Sequence, residues 1–146
     1  MEFEHKPIMV EECLRLLAPQ RGGIFVDGTL GGGGHAEAVL ETLPPSGRLI
    51  GIDRDSDAIE AASARLARFG ERFRAVKGNF FEIQSILQEL GIPGIDGMLV
   101  DLGVSSYQLD NPERGFSYHE DAPLDMRMDA KAGFSAFDVV NGYDER

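Results

Sequence analysis

Residues 24–35, Ile-Phe-Val-Asp-Gly-Thr-Leu-Gly-Gly-Gly-Gly-His, leave this chain few ways to fold. A short apolar run ends in an acid, four successive glycines follow, and a helical pattern begins, so the stretch reads as strand, tight loop and helix. Glycines at such a turn let the backbone take positive φ and bring its N–H groups against a ligand, where any Cβ would hold the ligand away. The loop is a cradle.

Glycine-rich strand-to-helix turns serve several ligands. Gly31 to Ala36 satisfies the dinucleotide pattern G-x-G-x-x-A, although a run of glycines satisfies almost any glycine pattern. A phosphate-binding P-loop needs Lys-Ser or Lys-Thr after the glycines, and neither follows here. Asp27 tilts the reading, because a carboxylate at the mouth of the loop repels a pyrophosphate and attracts a ligand carrying an ammonium and a sulfonium. S-adenosylmethionine is such a ligand. The alternative role for Asp27 is to cap the turn by accepting loop N–H groups.

The rest of the chain alternates strand and helix. Pro7 to Leu17 reads as an amphipathic helix with Val10, Cys13, Leu14 and Leu17 on one face, stopped by Pro19. A helix is expected over Ala36–Leu43, a strand over Arg48–Asp53, a helix over Asp57–Phe69, a strand over Phe73–Lys77, a helix opening at Gly78–Phe81 and running to Leu90, and a strand over Ile95–Asp101. Right-handed crossovers then give a parallel sheet of order 3-2-1-4, with a ligand crevice outside the carboxyl ends of the first and fourth strands. Asp27, Asp53 and Asp101 each end a strand at that edge. Asp53 lies about 20 residues beyond the glycines, the spacing at which a carboxylate meets ribose hydroxyls, and Asp55 or Ser56 is better placed to cap the following helix. Phe80 follows the third strand at the same edge, where it either packs on an adenine ring or joins Phe81 in the core.

A net charge of −11 argues against a general nucleic-acid binder, which carries a basic footprint. The single cysteine, Cys13, forms no internal disulfide, and no leader or long apolar span is apparent, so a cytoplasmic location without a membrane is expected. His5 and His119 read as surface residues. His35 follows the glycines without a Cys or second His near it in sequence, so no metal site is expected.

Beyond Asp101 the pattern changes. Residues 102–117 hold too many turn formers for a regular element, and 122–129 alternate apolar and charged residues as a half-exposed strand or extended loop does. The stretches Val26 to His35, Asp101-Leu-Gly-Val-Ser-Ser-Tyr-Gln-Leu-Asp, Arg114-Gly-Phe-Ser and Pro123-Leu-Asp-Met-Arg-Met-Asp together closely resemble the bacterial small-subunit (16S) ribosomal RNA cytosine-N4 methyltransferase family of the MraW type. The resemblance implies an α/β, Rossmann-like class I S-adenosylmethionine-dependent fold. It implies methyl transfer to the exocyclic amine of a cytidine in the small ribosomal subunit. Cofactor contacts fall, by the same resemblance, on Gly33, Gly34, His35, Asp53, Phe80, Asp101 and Gln108. The Asp-Pro-Pro-Tyr type sequence common among amine methyltransferases is replaced here by Asp101-Leu-Gly-Val-Ser-Ser, which leaves the group that grips the cytosine amine unassigned.

Members of that family continue into a helical insert and further strands, so this chain reads as an N-terminal fragment that keeps the cofactor site. Its expected parts are an N-terminal helix (1–20), cofactor-binding βα units (21–101) and an irregular tail (102–146). A fourth strand with an open apolar edge, Met98 to Val100, favours a homodimer. Two other functions stay open: an NAD-dependent oxidoreductase, and a catalytically silent ligand-binding or assembly module.

Overall fold

The computed structural model describes residues 7–144; His5 lies outside them. The chain divides into two compact units, one through Leu102 and one from Gly103.

The first unit is a parallel sheet flanked by helices. β1 (Ile24–Asp27) lies between β2 (Arg48–Asp53) and β4 (Gly97–Leu99), and β3 (Phe73–Lys77) pairs with the far side of β2, giving the order β3-β2-β1-β4. Register follows the apolar pattern: Phe25 pairs with Leu49 and Val26 with Ile50 and Met98. Neighbouring strands therefore present like residues to the same face. One face carries Phe25, Leu49, Phe73 and Ala75 beneath α1 (Val10–Leu17), α2 (Gly34–Thr42) and α3 (Ser56–Leu66). The opposite face carries Val26, Ile50, Ile52 and Val76 beneath α4 (Ile83–Glu89). Both faces of the central strands are buried, which is why β1 and β2 read as unbroken apolar runs.

The first three strands fall where the sequence puts them, and the helices differ at their ends. α1 starts three residues later than expected, after Met9 in the left-handed region, and closes on Ala18, also left-handed, whose N–H bonds the Leu14 carbonyl. α3 stops at Leu66 and tightens into 3-10 turns through Arg72, with Gly70 at φ 55° making the break. α4 is entered through a 3-10 turn, Phe80–Glu82, held by a reciprocal cap in which Asn79 accepts from Phe81 N–H and Glu82 from Asn79 N–H. β4 is shorter than Ile95–Asp101 because side chains replace the ladder at both ends. The Asp96 carboxylate takes the Ile24 N–H at 2.8 Å, and the Thr29 hydroxyl takes the Asp101 N–H at 2.7 Å.

The second unit, read from sequence as an irregular tail, is largely turns and loop punctuated by short helical pieces. It contains α5 (Ser106–Asp110), capped reciprocally by Ser105 and Gln108, a 3-10 turn at Pro112–Arg114, and α6 (Ala136–Gly142), capped by Ser135 and Asp138. Short capped helices escape a reading that weights turn formers, because Ser, Asn and Pro mark a helix start as readily as a loop. Residues 122–129 form no strand. The buried Arg114 guanidinium donates to the carbonyls of Arg127 (3.2 Å) and Met128 (2.9 Å), taking acceptors a ladder would need. Asp125 accepts from Arg127, which holds its carboxyl down at about 2.

Candidate cofactor site at the sheet edge

The edge formed by the carboxyl ends of the strands collects the glycine loop, Asp27, Asp53, Phe80 and Asp101 within the first unit. The loop is anchored from below. Leu30 is buried in the larger core, its N–H bonds the Ile52 carbonyl at 3.0 Å, and its side chain lies where a Cβ on Gly51 would have to be. Gly31 and Gly33 both take positive φ, 49° and 81°, which turns the chain from strand into helix without strain. At Gly33 a Cβ would also press on Leu66 and Ala62 of α3 at 3.2–3.3 Å, so glycine there seats the loop on its neighbouring helix.

Each strand-end acid has a distinct job. Asp27 is buried and accepts the Thr29 N–H at 3.1 Å, so the turn-capping role holds. Burial pushes its carboxyl up to about 6, and the nearby Asp53 and Asp101 add to the rise, against the opposing Thr29 hydrogen bond and His35. Asp53 uses both oxygens: one accepts from Gly31 N–H at 2.8 Å and the other from Asp55 N–H at 2.9 Å. It therefore ties the glycine loop to the end of β2, while Asp55 caps α3 by accepting from Asp57 N–H at 3.0 Å. Asp101 is exposed beyond β4, its backbone fastened to the glycine loop through Thr29.

No side chain caps α2, so the N–H groups of its first turn are offered at the crevice. His35 sits in that turn with Nε2 donating to the Ile8 carbonyl at 2.8 Å. Phe80 is half-buried, its Cβ beside Gly28, while Phe81 is 82% exposed with its ring centroid 4.7 Å from that of Phe80. The core reading for Phe81 is thereby excluded. Gln108 belongs to the second unit, where it is 4% exposed and its side chain accepts the Ser105 N–H at 3.1 Å. The Ser105 hydroxyl is likewise engaged by the Gln108 N–H.

Six of the seven sequence-derived positions thus share the first unit and one lies in the second. Sequence reasoning missed Thr29, which bridges the loops after β1 and β4, and Arg65, which reaches from α3 to Glu37 at 2.6 Å and to the Gly32 carbonyl at 3.5 Å. Both act across more than 25 residues of sequence, and no local pattern marks them. Among the described residues no group of three or more metal-ligating side chains is assembled, and no helix is long and apolar enough to cross a membrane.

What the edge offers is backbone donors at a helix start beside a ring of carboxylates. Donors suit a ligand's carboxylate and the acids suit its cationic centres and hydroxyls. A zwitterion with a sulfonium and a ribose fits that donor set.

The sequence profile of the MraW methylase family matches residues 2–146. The ribosomal RNA small subunit methyltransferase H of Geobacter sulfurreducens is 57% identical over 145 residues, covering 99% of this chain and 47% of that protein. Its counterpart in Natranaerobius thermophilus is 49% identical over 146 residues, covering 100% of this chain and 46% of that protein. The chain spans about half the length of these relatives. Among solved structures, the O-methyltransferase TomG of Streptomyces achromogenes in complex with SAM superposes with a TM-score of 0.53 at 29% identity, over 62% of this chain and 42% of that one. A Bacillus cereus O-methyltransferase in complex with SAH gives 0.55 at 18% identity, over 68% and 47%. The shared fold is Rossmann-like, a parallel α/β sheet.

Proposed function

The chain belongs to the MraW methylase family, and from that membership we propose that its first unit binds S-adenosylmethionine and that it forms part of an enzyme methylating the N4 amine of a cytidine in small-subunit 16S ribosomal RNA. One observation supports the reading: an uncapped helix start, the carboxylates of Asp27 and Asp53, and the backbone of Asp101 converge on a single glycine loop. In this reading the N–H groups of Gly34 and His35 hold the ligand's carboxylate on a turn shaped by Gly33, whose own N–H bonds the Leu30 carbonyl; Asp53 holds the ribose, Phe80 packs on the adenine, and Asp101 completes the set within the first unit. Asp27 supplies negative charge beneath the cationic part.

The cofactor, when bound, supplies a methyl group on a sulfonium and no metal is needed. The chain's task is to orient and to dry the crevice. Cytosine N4 is a poor nucleophile because its lone pair is delocalised into the ring. An acceptor on the amine restores lone-pair character and receives the proton, a role open to Asp101 or to a hydroxyl or carbonyl from Ser105 to Tyr107. The base enters unstacked or single-stranded.

Calorimetric titration with S-adenosylmethionine, with NAD as the control, tests the reading. Saturable binding of the first alone is the expected result. Binding of NAD instead restores the oxidoreductase reading, binding of neither means that the loop takes its shape only with more of the family's chain, and turnover separates an enzyme from a silent module. An Asp101→Asn chain that binds cofactor normally counts against the assignment of Asp101. With a net charge of −11 the chain binds ribosomal RNA weakly by itself, and a tight, salt-dependent complex overturns that.

β4 has one neighbouring strand among the described residues, leaving an edge with Met98 half-buried and Val100 exposed. Pairing of two chains through that edge satisfies its open backbone groups, giving a homodimer. Light scattering that finds a monomer at high protein concentration rejects it.

A further inference from the structure

The segment ahead of α1 lies on the glycine loop, and its attachment there is mostly backbone. His35 Nε2–H donates to the Ile8 carbonyl at 2.8 Å, across 27 residues of sequence. The Pro7 ring packs against Gly34 so closely that a Cβ on Gly34 would stand 3.0 Å from its Cγ and Cδ. Met9 then takes φ 53°, a left-handed conformation unusual for a side chain of its size, and its carbonyl accepts the Cys13 N–H at 3.0 Å to start α1. Ile8 and Met9 keep 60% and 64% of their surface exposed. Side-chain burial therefore does not hold this segment in place. The His35 bond and the Pro7–Gly34 contact do. Beyond the segment, on α1, burial pushes the Cys13 thiol up, with Glu12, Asp101 and Asp27 adding to the rise.

We propose that Pro7–Met9 form a strap latched over the glycine loop by His35, making the imidazole a positioning group for the cofactor site while the His35 backbone N–H faces the ligand. The inference rests on the cofactor reading above and adds to it. Among the described residues the ring's hydrogen-bond partner is the Ile8 carbonyl, a pure acceptor, so Nε2 carries the proton. A latched strap fixes the start of α2 from above, as Leu30 fixes the loop from below. Losing the latch frees Gly34 and His35 to move and loosens a ligand that relies on their N–H groups.

The test is a double-mutant cycle on the full chain, reading S-adenosylmethionine affinity by calorimetry together with amide hydrogen exchange over residues 8–13. His35→Ala and Pro7→Gly are each expected to weaken binding about tenfold, the loss of roughly one hydrogen bond's worth of order. The double variant binds no more weakly than the weaker single one, because both changes undo the same strap. His35→Gln, whose amide N–H reaches a carbonyl, recovers most of the affinity. Exchange at the Cys13 amide speeds up in both single variants. Multiplicative losses in the double variant overturn the proposal, since they place the ring on the ligand directly. Unchanged exchange at Cys13 overturns it as well. If the unaltered chain binds no S-adenosylmethionine, the cofactor reading fails on its own, and the exchange measurement alone decides the strap.

Discussion

Asp27 is the residue whose chemistry reaches furthest. Its buried carboxyl is pushed from the ordinary aspartate value of about 4 to about 6, so the folded chain holds this proton more tightly than the unfolded one does. Stability then falls as pH rises from about 4 to about 6, and above that range the ionised side chain costs up to about 3 kcal/mol. An Asp27→Asn chain, which keeps an acceptor for Thr29 N–H, is expected to gain about 1–3 kcal/mol at pH 7 and to lose the slope between pH 4 and 6 in urea denaturation. The same change removes negative charge from beneath a cationic ligand, so it should weaken S-adenosylmethionine binding while it stabilises the fold. At this scale the acids were legible from the sequence because each terminates an apolar run. That Asp53 holds Gly31, and that the His35 ring turns to Ile8, was not legible, since those pairs meet only after the sheet and α2 have formed.

Secondary elements here are fixed by what crosses between them. Gly51 sits mid-strand in β2 because Leu30, the last residue before the glycines, occupies the space above it. A Cβ there would meet Leu30 Cδ1 at 2.6 Å and Cδ2 at 2.8 Å, so Gly51→Ala is expected to destabilise by about 1–3 kcal/mol and to loosen the glycine loop. A thermal melt with and without cofactor separates the two effects. Arg72 does the corresponding work at the far end of α2, where its guanidinium donates to the Leu40 and Leu43 carbonyls, both at 2.9 Å. Those carbonyls end a helix and have no partner within it, so Arg72→Ala is expected to cost about 1.5–3 kcal/mol by chemical denaturation. Strands β1 and β2 were readable to the residue because apolar runs bounded by turns admit few registers, and the short β3, Phe73–Lys77, is set off by Gly70 and Gly78. β4 was not, because Asp96 and Thr29 substitute side-chain bonds for ladder bonds at its two ends. α5 and α6 were missed for a related reason: their caps, Ser105 with Gln108 and Ser135 with Asp138, are made of residues that also build loops.

At the level of the whole chain, two cores and two units set the behaviour. The sheet carries separate apolar clusters on its two faces, and the second unit is organised instead around the buried Arg114 and the Asp125–Arg127 pair. Leu102, Gly103 and Val104 between the units are exposed, so limited proteolysis is expected to cut there first and leave a resistant fragment ending near Leu102. Mass spectrometry of the digest checks the boundary, and early cleavage inside residues 24–66 counts against it. Order of the strands followed from alternation and crossover handedness alone. The division after Leu102 coincides with a change of residue pattern that the sequence carries openly, whereas the internal bonding of the second unit depends on one arginine whose partners lie 13 and 14 residues away.

The glycine loop is held in shape by the chain's own hydrogen bonds. Asp53 holds Gly31, Asp27 holds Thr29, and Thr29 holds Asp101. A receptor assembled in advance gives up little chain freedom on capture. Its association should therefore run at the pace of encounter, with a single fast phase in stopped flow, and differences in affinity among ligands should appear in how slowly each one leaves.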